Sequence, residues 1–268
     1  MPARADTRPH LHGLTFGGVA VVGGSGEPGG RGRLVLGLLT EVITGIGGAG
    51  TPARVLDCGG GTGALAVPLA VAGAHVTVVD RSVDALAILS RRAADAGVAD
   101  RVVAVPGDLD QSDLGLAADP TGEAPEVFDL VVAHDVLTAV ADPAATLRAA
   151  VDRLAPGGTL SLQVVNQAAV VLGRALQGDL RAAVAGLDAP TPGSYDVPAL
   201  LDLVAELGLV AGEVHGVGVL TEYVSGPDLE AHGVGAPQLA ALEARLAPRS
   251  PYRDVASRVH VLARRDER

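Results

Sequence analysis

The sequence predicts an α/β fold, a doubly wound, mostly parallel sheet of seven strands with an antiparallel last strand. Three observations carry this. Apolar runs of strand length alternate five times with helix-length segments between residues 53 and 166, joined by short loops. The first run opens into a glycine-rich turn, Asp57-Cys58-Gly59-Gly60-Gly61-Thr62-Gly63. The tail closes on two strand-like runs without a crossover of the earlier kind, so this final pair is expected to run antiparallel.

The elements follow in order. Residues 31–46 carry apolar side chains at helical spacing, and "GGAGTP" stops them. "ARVLDC" (53–58) is a short apolar strand, followed by a helix over 62–72. "AHVTVVD" (74–80) is almost continuously apolar, as a strand buried on both faces should be. Ser82 caps a helix that runs to Asp95 and ends before Gly97. "RVVAVPGD" (101–108) and "FDLVVAHDVL" (128–137) are the third and fourth strands. Pro143 suits the first turn of a helix that reaches Leu154. "PGG" then turns the chain into the fifth strand, "TLSLQVVN". Residues 168–187 read as helical, "TPGSYD" as a loop and 197–207 as a helix closed by Gly208. Runs 209–220 and 256–265 are the last strands, with a helical insert at 237–247.

Length and composition bound what such a chain can do. Its 268 residues suit a flexible Gly-rich N-terminus (1–29) and a single domain (30–268), in which 168–200 and 225–252 read as substrate-side insertions. Hydrophobic residues make up 48% and aromatics only 2%, so Val, Leu and Ala must pack the core. The formal net charge is −11, and every basic side chain other than histidine is arginine. That balance disfavours non-specific binding to a phosphate backbone, although a local arginine cluster acts over a Debye length of about 8–10 Å. One cysteine, Cys58, rules out an intrachain disulfide and suits a reducing, cytoplasmic setting. The N-terminus shows no apolar signal-peptide segment, and no uninterrupted apolar run of about 18 residues reads as a membrane span.

Candidate site residues gather where strands end, the place where open α/β sheets bind ligands. Gly59, Gly60 and Gly61 let a ligand approach the backbone, and the following helix offers free N–H groups. Gly59, Gly61 and Ala64 formally fit a dinucleotide fingerprint. Asp57, placed before the glycines, suits an ammonium group better than a pyrophosphate, which it would repel. Asp80, with Arg81 beside it, ends the second strand, where a carboxylate can accept both hydroxyls of a ribose. Asp108, Leu109 and Asp110 follow the third strand and could edge an adenine. His134 and Asp135 end the fourth strand, where the histidine could line a cofactor or act as a base. Asn166 ends the fifth and could face a substrate. Cys58 reads as a small loop residue, and His215 and His260 as structural. No cluster has the spacing of a metal site.

Taken together, "VLDCGGGTG", Asp80, the "GD" at 107–108, "FDLVVAHDVL" and "LRAAVDRLAPGGTLSL" resemble the successive motifs of class I S-adenosylmethionine-dependent methyltransferases. A narrower resemblance covers most of the chain. "AHDVLTAVADP", "PGGTLSLQVVNQAAVVLGRALQGDL", "LDLVAELGLVAGEVHGVGVLTEY" and "SPYRDVASRVHVLARR" are similar to the tRNA 5-carboxymethoxyuridine methyltransferases. The resemblance implies a Rossmann-like methyltransferase fold, S-adenosyl-L-methionine as cofactor with S-adenosyl-L-homocysteine as product, and methylation of the carboxylate of a modified wobble uridine in tRNA. It implies that Gly59 and Gly60 line the methionine moiety, Asp80 holds the ribose, Leu109 and Asp110 edge the adenine, and His134 contacts the cofactor. Arg33, in "GRGRLVL", would pair with the methionine carboxylate. Tyr252, Arg253 and Arg258 lie in the family-like C-terminal segment, where a cation could hold an anionic acceptor; Arg174, Arg181 and Tyr195 are further candidates. Where that family carries a lysine-rich segment, this chain has "LDAPTPGSYDVP". A small-molecule O- or N-methyltransferase is therefore the alternative acceptor class. A nicotinamide-dependent oxidoreductase and a non-catalytic adenosyl-cofactor-binding module are the alternatives of other kinds.

Overall fold

The computed structural model describes residues 30–46, 51–111, 113–116, 126–221, 224 and 235–267. Its elements, in chain order, are α1 (Gly30–Ile46), β1 (Arg54–Cys58), α2 (Ala66–Val71), β2 (His75–Asp80), α3 (Val83–Asp95), β3 (Val102–Pro106), β4 (Phe128–His134), α4 (Pro143–Asp152), β5 (Leu154–Asn166), α5 (Gln167–Leu176), α6 (Leu180–Asp188), β6 (Ser194–Tyr195), α7 (Val197–Glu206), β7 (Leu209–Val217), α8 (Ala236–Leu246) and β8 (Arg258–Arg265). The N-terminal segment 1–29 and residues 225–234 of the predicted insertion 225–252 lie outside the described residues.

The strands form one sheet in the order β3-β2-β1-β4-β5-β8-β7, with the two-residue β6 pairing beside the end of β5. Neighbours from β3 to β5 are parallel, and β8 runs antiparallel to both β5 and β7. The expected doubly wound sheet is present, with the short β6 as an addition. Strand order reverses between β1 and β4, which opens a crevice at their carboxyl ends.

Both faces of the sheet are covered. Val55, Val76, Val78, Leu130 and Val132 pack one way, against Val35, Leu39 and Ile43 of α1, Leu69 of α2 and Leu89 of α3. Leu56, Val79, Val131, Leu160 and Leu162 pack the other way, with Leu147 of α4 and Leu200 and Val204 of α7. Burying each such aliphatic side chain contributes roughly 1.5–3 kcal/mol. The aromatic-poor core is built from Val, Leu and Ala; Phe128 is its one fully buried aromatic among the described residues.

Local signals held where side-chain chemistry caps an element. Ser82 accepts from Ala85 N at 3.2 Å and starts α3; Asp142 accepts from Ala145 N at 3.0 Å just before Pro143 and α4. Boundaries moved where the backbone turns. The helix expected from 62 begins at Ala66, because residues 61–65 form consecutive turns. The fourth strand stops at His134, since Asp135 has φ of 56°. The helical stretch 168–187 divides into α5 and α6 at a Gln177–Gly178 turn, with Asp179 capping the second helix.

Candidate functional site

A cavity of about 260 Å³ opens at the crevice between β1 and β4. The loop after β1 gives it Gly59, the end of β2 gives Asp80 and Arg81, and the loop after β3 gives Gly107, Asp108, Leu109 and Asp110. The end of β4 gives His134, followed by Asp135, Val136, Ala139 and Val140. Eight residues singled out from the sequence therefore line one cavity: Gly59, Asp80, Arg81, Asp108, Leu109, Asp110, His134 and Asp135.

The glycine loop is shaped by its lack of side chains. Gly59 has φ of 73°, and a Cβ there would stand 2.5 Å from Cγ1 of Val136. A Cβ on Gly60 would stand 2.3 Å from Oδ2 of Asp57. Behind the loop, Arg92 of α3 donates to the Thr62 carbonyl at 3.1 Å. Asp80 secures the front: Oδ2 accepts from Gly61 N at 2.9 Å and Oδ1 from Ser82 N at 2.8 Å. Each of its oxygens keeps a lone pair for a further donor.

Asp57 does not line the cavity. It lies beneath Gly60, 3% exposed, with Oδ2 buried and without a partner. Burial, with the charge of Asp80 adding to it, pushes its pKa up to about 7. A cationic group held in front of the loop would relieve this carboxylate. Burial and the neighbouring Asp57 push the Cys58 thiol well above its ordinary value, so it is no ready nucleophile.

The loop after β3 is braced on α4. Asp108 Oδ1 accepts from Asp110 N at 3.1 Å, Asp110 Oδ1 from Ala141 N at 2.7 Å, and the Leu109 carbonyl from Thr146 Oγ1 at 3.1 Å. His134 turns Nε2 to Ser161 Oγ at 2.7 Å, and burial lowers its pKa to about 3, so the imidazole is neutral at pH 7. Asp135 is clamped by two donors: Arg258 Nε at 2.8 Å and Gln163 Nε2 at 3.1 Å. That pairing places the Arg258 guanidinium beside a lining residue.

The other candidates stand elsewhere. Arg33 is exposed on α1, outside the cavity lining. Asn166 is fully buried and occupied: Nδ2 donates to the carbonyls of Asp254 and Ala256, and Oδ1 accepts from Ala168 N to cap α5. The expectation that it faces a substrate therefore gives way to a tie between β5, α5 and the 254–256 turn. Tyr252 is exposed, and Arg253 Nε pairs with Asp254 at 3.0 Å. Arg174 donates to the Ala182 carbonyl at 3.2 Å and joins α5 to α6. Tyr195, in β6, has its pKa raised by burial and by Glu206. Gly107, Val136, Ala139 and Val140 were not singled out in advance. Three of them carry no polar signature, and Gly107 was visible only as part of the "GD" pair.

The lining suits an adenosyl amino-acid ligand. Glycines admit the close approach, a carboxylate with spare lone pairs stands at the end of β2, and an unpartnered buried carboxylate lies behind the loop. Among the described residues no helix is long and apolar enough to cross a membrane, and no cluster of three His, Cys, Asp or Glu side chains could hold a metal ion.

Comparison with known proteins agrees. The tRNA 5-carboxymethoxyuridine methyltransferase of Escherichia coli (strain K12) is 28% identical over 220 residues, 80% of each chain. The ubiquinone biosynthesis O-methyltransferase of Aeromonas salmonicida (strain A449) is 31% identical over 114 residues, 42% of this chain and 44% of that protein. The matched region thus spans less than half the length of that relative. Among solved structures, magnesium protoporphyrin IX methyltransferase from Synechocystis PCC 6803 with bound S-adenosylhomocysteine superposes with a TM-score of 0.55 at 15% identity, over 88% of this chain and 84% of that one. The [4+2]-cyclase SpnF superposes with 0.53 at 18% identity, over 85% and 81%. These likenesses establish the fold, and the cyclase marks that one fold serves more than one reaction. The methyltransferase domain family matches residues 34–209, and the chain belongs to that family, as a member of the class I S-adenosylmethionine-dependent kind.

Proposed function

We propose that this protein methylates the carboxylate of 5-carboxymethoxyuridine at the wobble position of tRNA. The observation that carries the reading is the extent of the likeness to the E. coli tRNA enzyme. It reaches over 80% of both chains, so wherever it begins it continues past the cofactor-side half through α5, α6, β6 and α7. The likeness to the ubiquinone-pathway enzyme covers 42% of this chain.

In this reading Asp80 accepts the ribose hydroxyls, and Leu109 and Asp110 edge the adenine. Gly59 and Gly60 pass along the methionine moiety, with Asp57 behind them as the counter-charge to its ammonium group. S-adenosylmethionine supplies a methyl group already activated on a sulfonium. What remains for the protein is in-line placement of the acceptor and exclusion of water. A carboxylate acceptor is ionised at pH 7 and needs no base. Arg258 of the C-terminal segment, paired with the lining residue Asp135, would orient that carboxylate.

A small-molecule O-methyltransferase is the second reading. It is favoured by the net charge of −11 and the absence of lysine, which leave few contacts for an RNA backbone. Mass spectrometry of tRNA nucleosides from a deletion strain, with and without restored protein, separates the two. Loss of the 5-carboxymethoxyuridine methyl ester that returns on complementation is expected. Unchanged levels would refute the tRNA substrate and leave the small-molecule reading.

A further inference from the structure

His134, Ser161, His260 and His215 come from four strands and lie together across the sheet. His134 is opposite Gln163 on β5, Gln163 opposite His260 on β8, and His260 opposite His215 on β7. Ser161 lies two residues before Gln163 and so points to the same face. Its Oγ is 2.7 Å from Nε2 of His134 and 2.9 Å from Nε2 of His260. The rings of His134 and His260 meet edge to face at 5.5 Å, and those of His260 and His215 stand 6.1 Å apart. At the far end, His215 Nε2 meets the Glu213 carboxylate at 3.3 Å. Ser161 and His260 have no exposed surface, and Nδ1 of His260 is buried without a partner.

Counting protons along this chain gives it a direction. A hydroxyl has one proton, so Ser161 donates to one imidazole and accepts from the other. The two histidines must therefore be opposite tautomers. Burial holds both far below their ordinary pKa, so neither carries a second proton. If Ser161 donated to His260, the proton of His260 would sit on Nδ1, a buried N–H with no acceptor. Orphaned buried N–H groups are the rarest kind of unmade hydrogen bond. If Ser161 donates to His134, the Nε2–H of His260 is satisfied by Ser161, and only a lone pair is left bare. The proton of His134 then sits on Nδ1. With Nε2 held by Ser161, Nδ1 is the ring nitrogen left for an occupant of the cavity that His134 lines.

We propose that Ser161 and His260 are positioning residues that lock His134 in its Nδ1–H tautomer, so that the cavity meets a hydrogen-bond donor there and not a base. The occupant must present an oxygen or ring-nitrogen acceptor atom to His134. A substrate that has to lose a proton finds no base in this imidazole, which restricts the acceptor to groups already nucleophilic at neutral pH, such as a carboxylate. The proposal rests on the cavity being the methyl-transfer site.

NMR of the full chain with ¹⁵N-labelled histidine reads each ring's tautomer without any ligand. His134 as Nδ1–H and His260 as Nε2–H are expected in the wild type. Ser161→Ala should let His134 sample both forms and weaken S-adenosylhomocysteine binding about tenfold. Ser161→Thr, which keeps the hydroxyl, should keep the tautomer. An Nε2–H His134 in the wild type overturns the proposal, as does a tautomer that Ser161→Ala leaves locked. The wild-type spectrum alone decides if Ser161→Ala does not fold. The expected tautomers in a wild type that binds no S-adenosylhomocysteine by calorimetry would support the lock and overturn the cofactor site instead.

Discussion

Replacing Asp57 by Asn should stabilise the ligand-free protein at alkaline pH and weaken its grip on the cofactor. The buried carboxylate titrates at about 7 in the folded chain, against an ordinary 3.8. Because the folded-state pKa is raised, the folded chain holds a proton here that the unfolded chain has lost between pH 3.8 and 7. Stability is therefore highest below that window, falls as pH rises through it and stays low above 7. With 1.36 kcal/mol per pKa unit, the shift amounts to about 4 kcal/mol of lost stability at pH 8. An amide removes that cost but leaves a buried N–H facing the place where Oδ2 has no partner, a penalty of roughly 1–3 kcal/mol. Asp57→Asn should thus be about 1–3 kcal/mol more stable than wild type at pH 8, with the advantage gone by pH 4. Urea denaturation of both proteins at several pH values measures this, and their difference cancels the other titrating groups. A difference constant from pH 4 to 8 would refute the reasoning. S-adenosylhomocysteine binding at pH 8 should weaken in the variant about tenfold, through loss of the charge behind the glycine loop.

Asp80→Ala removes the acceptor for Gly61 N and Ser82 N together with the proposed ribose contact, and should weaken S-adenosylhomocysteine about 100-fold by calorimetry. Unchanged affinity would show the ribose misplaced. Arg258→Ala leaves Asp135 with Gln163 alone; cofactor affinity should stay within about twofold, while KM for a tRNA acceptor rises roughly 10- to 100-fold, the worth of a hydrogen bond to a charged group. Equal changes in both constants would remove Arg258 from the acceptor side. Glu243 of α8, buried, accepts from the backbone N–H groups of Val219, Leu220 and Thr221. Glu243→Ala orphans all three and should cost roughly 2–5 kcal/mol in urea unfolding; a loss below about 1 kcal/mol would mean that water replaces the carboxylate.

Elements whose signal is local were legible in the sequence. Ser82 and Pro143 announced their helices because an N-cap or a first-turn proline needs only its own side chain and the next turn. The central strands β1, β2 and β4 read correctly because burial on both faces demands unbroken apolar residues, whereas β6 lies in the segment "TPGSYD" that reads as a loop and β5 begins at Leu154, ahead of the "PGG" that reads as a turn. Boundaries that depend on a backbone turn were not legible in this way: Asp135 looks like strand in "VVAHDVL", and its positive φ comes with the Arg258 and Gln163 clamp. Asn166 shows the same limit at the site. A strand-end asparagine suits a substrate contact, and only the 254–256 turn, nearly 90 residues away, shows its amide already engaged.

The alternating α/β order, the glycine loop with Asp57 and Asp80 around it, and the gathering of candidate residues at strand ends are written in the order of the residues. These follow from period, chain direction and the rule that open sheets bind at their carboxyl edge. The tertiary structure alone decided which of those residues share a cavity, that Asp57 sits behind the loop at a raised pKa, and that His134 is wired through Ser161 to His260. Those facts rest on burial and on contacts between strands distant in sequence, where a hydroxyl's single proton and an unpartnered nitrogen set the chemistry of the site.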